Sequence, residues 1–316
     1  MGLTIGQIVA VSYPAVLADQ RKPANQWAES AFLREAERQG MIVRKDLGAQ
    51  IEAPLDYQRN PGTVIQATDL QALSLNKTEV LTSAVYAIAE VSAPIVWSKK
   101  DEVQNPSQNQ KIALVSSLIA NALDSHDDIL EQQVFSTTTN GFLGLETHIP
   151  ANGQGSDGGI DSSTNTFWRC QSNSYTDDTD IESGMTTTWN QCAKGSGSKL
   201  LPTMIVSDAA TQSLFEGTQQ AQQRYVDTEE LKAGFKILAF KTSRYVFSQY
   251  AGNSGAQYFL NPKNFQFVVS REYFRDRDET QPIPNANGFV SKIYSALQTV
   301  VNNRSRLGIN HTAASV

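Results

Sequence analysis

Two cysteines in 316 residues are too few for a disulfide framework. No run approaches the roughly 18 consecutive apolar residues that a membrane-spanning helix needs, and the mean hydropathy is −0.35. Basic residues are also scarce. The chain has 26 Lys and Arg against 32 Asp and Glu, a net charge of −6, and no run that would form the basic stripe of a nucleic-acid binder. Only three histidines exist, His126, His148 and His311, and neither H-E-x-x-H nor G-x-S-x-G occurs. The apolar residues 8–18 lack a preceding Lys or Arg and are broken by Pro14, so no signal peptide is expected. Gly6 stands where a myristoylation motif wants Ser or Thr.

What is present is ordinary globular material. Hydrophobic residues make up 40% and charged residues 18%, which excludes wholesale disorder and supplies a sizeable core. The length fits two domains or one large one with insertions. Pro23 and Gly40 bracket a helix over residues 23–39. Its apolar stripe of Trp27, Ala28, Ala31 and Leu33 is partial. With Glu29, Arg34, Glu35, Glu37 and Arg38 around it, the helix should lie on a surface, a partner's included. Residues 48–97 read as one long hairpin with the turn signal RNPGTV and a tip over 64–77. So long a hairpin has too little chain around it to bury both faces, so it should lean on a partner surface rather than join the subunit's own core.

Residues 105–136 give the strongest helical period, through Ile112, Val115, Ile119, Ala122, Ile129 and Val134, with Asn105 and Pro106 at its start. Such a helix is a strut of about 45 Å. His126 falls on its apolar stripe and is expected to be a buried core histidine. Residues 146–199 are rich in Gly, Ser, Thr, Asn and Asp, and read as a loop-rich insertion with a short helix near 180–193. PTMIVS is a buried strand, after which Asp208 caps a helix running toward Gly217. Strand-like runs follow at 235–240, 244–250, 256–261 and 265–270, then a long strand at 288–303 and a basic tail, RSRLGINH.

Local motifs assign no chemistry. GQGSDGG places Gly153, Gly155 and Gly158 in a G-x-G-x-x-G pattern, but the flanking strand and helix that a phosphate site needs are missing, so it reads as a loop. Asp177, Asp178, Asp180 and Glu182 lack calcium-loop spacing, and suit a helix N-terminus instead. Arg169 beside Cys170 would depress a reactive thiol's pKa, but Cys170 reads instead as a neutral, half-exposed loop thiol or as a partner for Cys192. The acceptor tripeptides at Asn76, Asn303 and Asn310 are chance matches without a signal peptide. No catalytic, cofactor-binding or metal residue is assigned, and no enzyme activity is expected.

The order of elements carries a resemblance. LGAQIEAPLDYQRNPGTV (47–64), LTSAVYAIAEVSAPIVWSKKDEVQN (81–105), the stretch from RYVDTEELKAGF to FVVSREYF (224–274) and the ending TVVNNRSRLGINH (299–311) resemble major capsid proteins of tailed bacteriophages of the Hong Kong 97 type. The resemblance implies an α+β fold with an N-arm (1–40), an E-loop region (41–97), a P-domain with its spine helix (98–145), an axial A-domain (146–261), and a return to the P-domain with a C-terminal tail (262–316). It implies a protein that self-assembles into hexamers and pentamers of an icosahedral head around double-stranded DNA, held without sequence-specific binding. Implied partners are its own copies, a separate scaffolding protein, a portal protein and a decoration protein, with assembly in the host bacterial cytoplasm and no membrane. Self-crosslinking members join an E-loop lysine to a P-domain asparagine. Lys77 with Asn302 or Asn303 would take those parts, although no catalytic acid aligns. Two alternatives are an encapsulin-type nanocompartment shell and a secreted binding protein or enzyme using residues 146–199. The poverty in histidine and nucleophile motifs argues against the latter.

Overall fold

The computed structural model describes residues 31–66, 76–104, 108–136, 141–193, 201–222, 238–251 and 255–312. The fold is α+β and is built around two six-stranded sheets.

The first sheet is organised by a long strand, numbered β15 in chain order (Gly288–Val301), rich in the β-branched residues that suit a half-buried pleat. Along one edge it pairs antiparallel with β4 (Ala89–Ser98), from Gly288 opposite Ser98 to Leu297 opposite Ala89. Along its other edge lie β12 (Phe265–Ser270), β13 (Asp276–Arg277) and β14 (Gln281–Pro282). A short strand, β1 (Ile42–Lys45), runs parallel to β12. After α1 (Ala31–Arg38) and α2 (Lys99–Gln104), helix α3 (Gln108–Val134) crosses this sheet. Its residues Val115, Ile119, Ala122 and Leu123 pack on Ala93, Ile95, Trp97 and Ile293. At 27 residues α3 is about 40 Å long. His126 is fully buried, as its place on the stripe predicts, with Nδ1 3.3 Å from Asp127 Oδ1.

The second sheet has the order β7-β16-β11-β8-β10-β9, numbered along the chain. Its strands are Gln171–Tyr175 (β7), Met204–Ser207 (β8), Ala239–Phe240 (β9), Ser243–Phe247 (β10), Gln257–Leu260 (β11) and Gly308–Thr312 (β16). After the single turn α4 (Leu145–His148), α5 (Ile181–Ala193) and α6 (Ala209–Gln222) supply the cover of one face, where Ile181, Met185 and Phe215 meet Ile205, Tyr245 and Phe259. The opposite face sends Met204, Val206, Tyr258, Leu260 and Ile309 into the main core, together with Phe32, Met41, Phe265 and Val301.

Several expectations need correction. The hairpin splits in two at Ile88. β2 (Gln50–Asp56) pairs with β3 (Leu81–Ala87), whereas β4 leaves to join the first sheet. β2 alternates strictly in burial, and Ile51, Ala53, Leu55, Ala84 and Tyr86 belong to the subunit's own core, so the expectation that the hairpin stands outside that core fails for its stem. Most of the tip, 67–75, lies outside the described residues, as do residues 1–30, which include the first half of the 23–39 helix, and the Asn105-Pro106 cap. The described part of that first helix, α1, buries Phe32, Leu33 and Ala36 against its own chain, so it is not a free surface element, and Gly40 ends it at φ +72° as expected. Helix α6 continues through Gly217 to Gln222, because an interior glycine costs only about 1 kcal/mol and does not stop a helix. Residues 146–193 are more ordered than a loop-rich reading allows: a small hairpin of β5 (Ser156–Asp157) and β6 (Ile160–Asp161), then β7 and α5. The C-terminal RSRLGINH is no tail. Arg304 is fully buried, and β16 is an interior strand of the second sheet.

Candidate functional site

The hairpin stem is fastened to the body by identifiable contacts. The Val85 amide donates to the Gly158 carbonyl at 2.9 Å, and the Tyr86 hydroxyl donates to the Val301 carbonyl at 3.3 Å. Gly158, at φ +58°, is a glycine because a Cβ there would stand 2.6 Å from the Ala84 Cβ. Tyr57 lies against Phe167 with ring centroids 5.2 Å apart. Beyond Tyr57 the stem opens into the Asn60-Pro61-Gly62 turn, where Asn60 Oδ1 accepts from the Gly62 amide, as the turn signal predicts. There the chain carries Val64 and Ile65 into solvent, Ile65 at 95% exposure, and Leu81, the first residue of β3, is 71% exposed at the outer end of the stem. Val96 on β4, Val103 on α2 and Ile112 at the start of α3 are exposed singly. Single exposed apolar residues are commonplace, whereas the adjacent Val64 and Ile65 on a projecting hairpin mark a candidate contact surface.

The densest polar constellation is buried. Arg304 donates from Nε to the His148 carbonyl at 2.6 Å, from Nη1 to the Gly155 carbonyl at 2.9 Å, and from Nη2 to the Thr147 carbonyl at 3.1 Å. Its Nε lies 3.9 Å from Asp157 Oδ2. His148 Nδ1 is 2.9 Å from that same carboxylate oxygen, and its Nε2 is 2.9 Å from Thr299 Oγ1. The line Thr299–His148–Asp157 has the spacing of a nucleophile, base and carboxylate. It is sealed, however: both His148 and Thr299 are 0% exposed, and the Thr299 hydroxyl donates to the Leu143 carbonyl. No substrate atom reaches a hydroxyl so placed. The cluster instead joins the 144–162 segment to β15 and the 304–306 turn. Sequence reading noted His148 but missed its partners, which lie up to 156 positions away.

The other residues singled out in sequence do not converge on one place. Gly153, Gly155 and Gly158 all have positive φ and belong to loops around the β5–β6 hairpin, with no strand-to-helix junction. Asp177, Asp178 and Asp180 are exposed just before α5, and no group of three or more His, Cys, Asp or Glu side chains placed to hold a metal occurs among the described residues. Cys170 is buried, not half-exposed. Burial pushes its thiol up to about 11, and the Arg169 guanidinium turns away, to the carbonyls of Ser162 and Ser163. Cys192 is also buried and free, its thiol pushed up chiefly by burial. His311 is held low by burial, with Nδ1 3.2 Å from the Asn173 carbonyl. Lys77, Asn302 and Asn303 are all exposed.

Glu35 on α1 is a second buried carboxylate. Burial raises its pKa, but hydrogen bonds from Arg38 and Gln39 and the charges of Arg244 and Arg38 outweigh this, and the net shift is downward. Arg244 Nη1 on β10 lies 3.0 Å from Glu35 Oε2, so the pair ties α1 to the second sheet.

No protein-family model matches the chain, and no curated protein matches it. Solved structures do. The capsid of cyanophage A-1(L) superposes with a TM-score of 0.63 at 15% identity, covering 86% of this chain and 90% of that one. The capsid of a native GTA particle gives a TM-score of 0.60 at 11% identity, covering 88% and 89%. The SrpI encapsulin of Synechococcus elongatus gives 0.53 at 9% identity, covering 88% and 86%. The chain therefore has the Hong Kong 97-type fold of tailed-phage major capsid proteins, which encapsulins share.

Proposed function

We propose that this chain is the major capsid protein of a tailed phage, assembling into hexamers and pentamers that close around double-stranded DNA. The observation that carries this reading is the capsid fold over nearly the whole chain, together with a hairpin that lifts Ile65 into solvent beyond a firmly seated stem and leaves Leu81 exposed at the stem's outer end. Isolated two-stranded ribbons are marginal in water, so such side chains call for a neighbouring copy. A net charge of −6 suits an inner wall that confines DNA and later releases it, since attraction to phosphates grows with each basic contact. On this reading residues 1–40 are the N-arm, 41–97 the E-loop region, 98–145 the spine-helix part of the P-domain, and 146–261 the A-domain. The remaining 262–316 then divide between the P-domain and, through β16, the A-domain sheet. Scaffolding, portal and decoration proteins are the further partners, and no catalysis is required.

The encapsulin reading has support of its own, from the match to SrpI over 88% of this chain. One experiment addresses both readings. The protein is expressed alone and with candidate scaffolding proteins, then examined by light scattering and negative-stain microscopy. Closed particles are expected. A compact monomer at high concentration under every condition would overturn both readings. Particles from the native source that hold a cargo protein instead of nuclease-protected DNA would transfer the assignment to an encapsulin.

A further inference from the structure

A row of polar side chains crosses the second sheet beneath α5. Asn173 on β7 stands opposite Asn310 on β16, Asn310 opposite Gln257 on β11, and Gln257 opposite Ser207 on β8. Asn310, Gln257 and Ser207 are each 0% exposed. Their side chains are chained. Asn173 Nδ2 donates to Asn310 Oδ1 at 3.0 Å, Asn310 Nδ2 to Gln257 Oε1 at 2.8 Å, and Gln257 Nε2 to the Tyr245 hydroxyl on β10 at 2.9 Å. Tyr245 donates onward to Ser207 Oγ at 2.8 Å, and Ser207 to the Asp208 carbonyl at 2.9 Å. Every link points the same way, from the edge strand β7 to the start of α6. The helix above is cut to fit: a Cβ on Gly184 would stand 2.5 Å from Asn310 Oδ1. The surrounding face is mostly apolar, with Ile205, Met185 and Phe259.

We infer that this row is a latch for the C-terminal strand, which couples the seating of β16 to β10 on the far side of the sheet. Asn310 sits in the middle of the row, accepting on one side and donating on the other. With β16 unseated, half-buried Asn173 loses its acceptor, and Gln257 loses its donor on a fully buried face, where an unpaired amide is costly. Conversely, a break at the β10 end leaves Gln257 Nε2 with only its weak contact to Met185 Sδ at 3.5 Å, and Asn310 loses its fixed acceptor. Strand backbones alone do not transmit this dependence, because each ladder bond is satisfied between neighbours. The inference does not depend on the shell reading, since all the groups belong to one chain.

The test is hydrogen–deuterium exchange with mass spectrometry on the full-length protein, following peptides that span 308–312. Tyr245→Phe removes one hydroxyl from β10 without touching β16. It is expected to speed exchange in β16 severalfold while α3 keeps its wild-type protection. Val246→Ala is the control: it weakens the same strand from the opposite face and is expected to leave β16 closer to wild type. Asn310→Leu should open β16 at least tenfold. Wild-type exchange in β16 for Tyr245→Phe, or an equal rise for Val246→Ala at matched global stability, would overturn the latch, as would a protected β16 in Asn310→Leu.

Discussion

Arg304 shows what a single side chain does in this fold. Its guanidinium meets carbonyls from three separate residues, His148, Gly155 and Thr147, and lies beside the Asp157 carboxylate. Only a planar fork with several donors reaches such a set. Arg304→Met takes the side-chain donor from the His148 and Thr147 carbonyls and the cation from beside the Asp157 carboxylate, which then has only His148, and is expected to cost about 3–5 kcal/mol, read as a lower urea midpoint of the dissociated subunit. Arg304→Lys should recover little of it, and full recovery would refute the fork argument. Glu35 gives a pH signature. Its folded pKa lies below the ordinary value of 4.5, so its stabilising contribution is present above that value and is lost as pH falls through the lowered one. Glu35→Gln should therefore flatten the acid side of the stability profile below about pH 4.5 and leave the neutral-to-alkaline shape unchanged; an unaltered acid limb would contradict this. Both cysteines are buried with thiols pushed up in pKa, so they should resist a thiol reagent until the protein unfolds. Intact mass with and without reductant should agree, and a two-dalton difference would show the pairing that the free thiols here do not form.

At the scale of elements, the hairpin separates into a part that serves the subunit and a part offered to something else. The stem is held by the Val85–Gly158 bond, the Tyr86–Val301 bond and the Tyr57–Phe167 contact. Replacing residues 64–77 by a short Gly-Ser turn is expected to leave circular dichroism and thermal unfolding of the subunit nearly unchanged while particles fail to form. Normal particles from that variant, or collapse of the subunit fold, would contradict the division. Gly158→Ala acts on the other part, forcing a methyl group toward Ala84 at a positive φ, and should lower the melting temperature of the subunit itself.

For the whole molecule, the second sheet takes strands from residues 171–175, 204–260 and 308–312, and the main core from Phe32 to Ile309. The two ends of the described chain are thus bound into one body, α1 through Glu35 to β10 and β16 through Asn310 to Gln257. Local signals in the sequence specified what depends on neighbours along the chain. The period of Val115, Ile119 and Ala122 marked α3 and placed His126 inside, Gly40 marked the end of α1, and the β-branched run after Gly288 marked β15. The order of those elements also pointed to the capsid fold, because order survives where identity has fallen to 15% or below. Tertiary structure alone decided the rest. Whether LTSAVYAIAEV formed one strand or two turned on which partner each half met, and β3 went to β2 while β4 went to β15. RSRLGINH looked like a solvated tail because burial of an arginine depends on acceptors more than a hundred residues away. Asn310 was marked only by a chance acceptor tripeptide, and Gln257 by nothing, until the pairing of β11 with β16 set them side by side. Strand partners and buried polar contacts are fixed by long-range pairing, which periodicity within a short window does not encode.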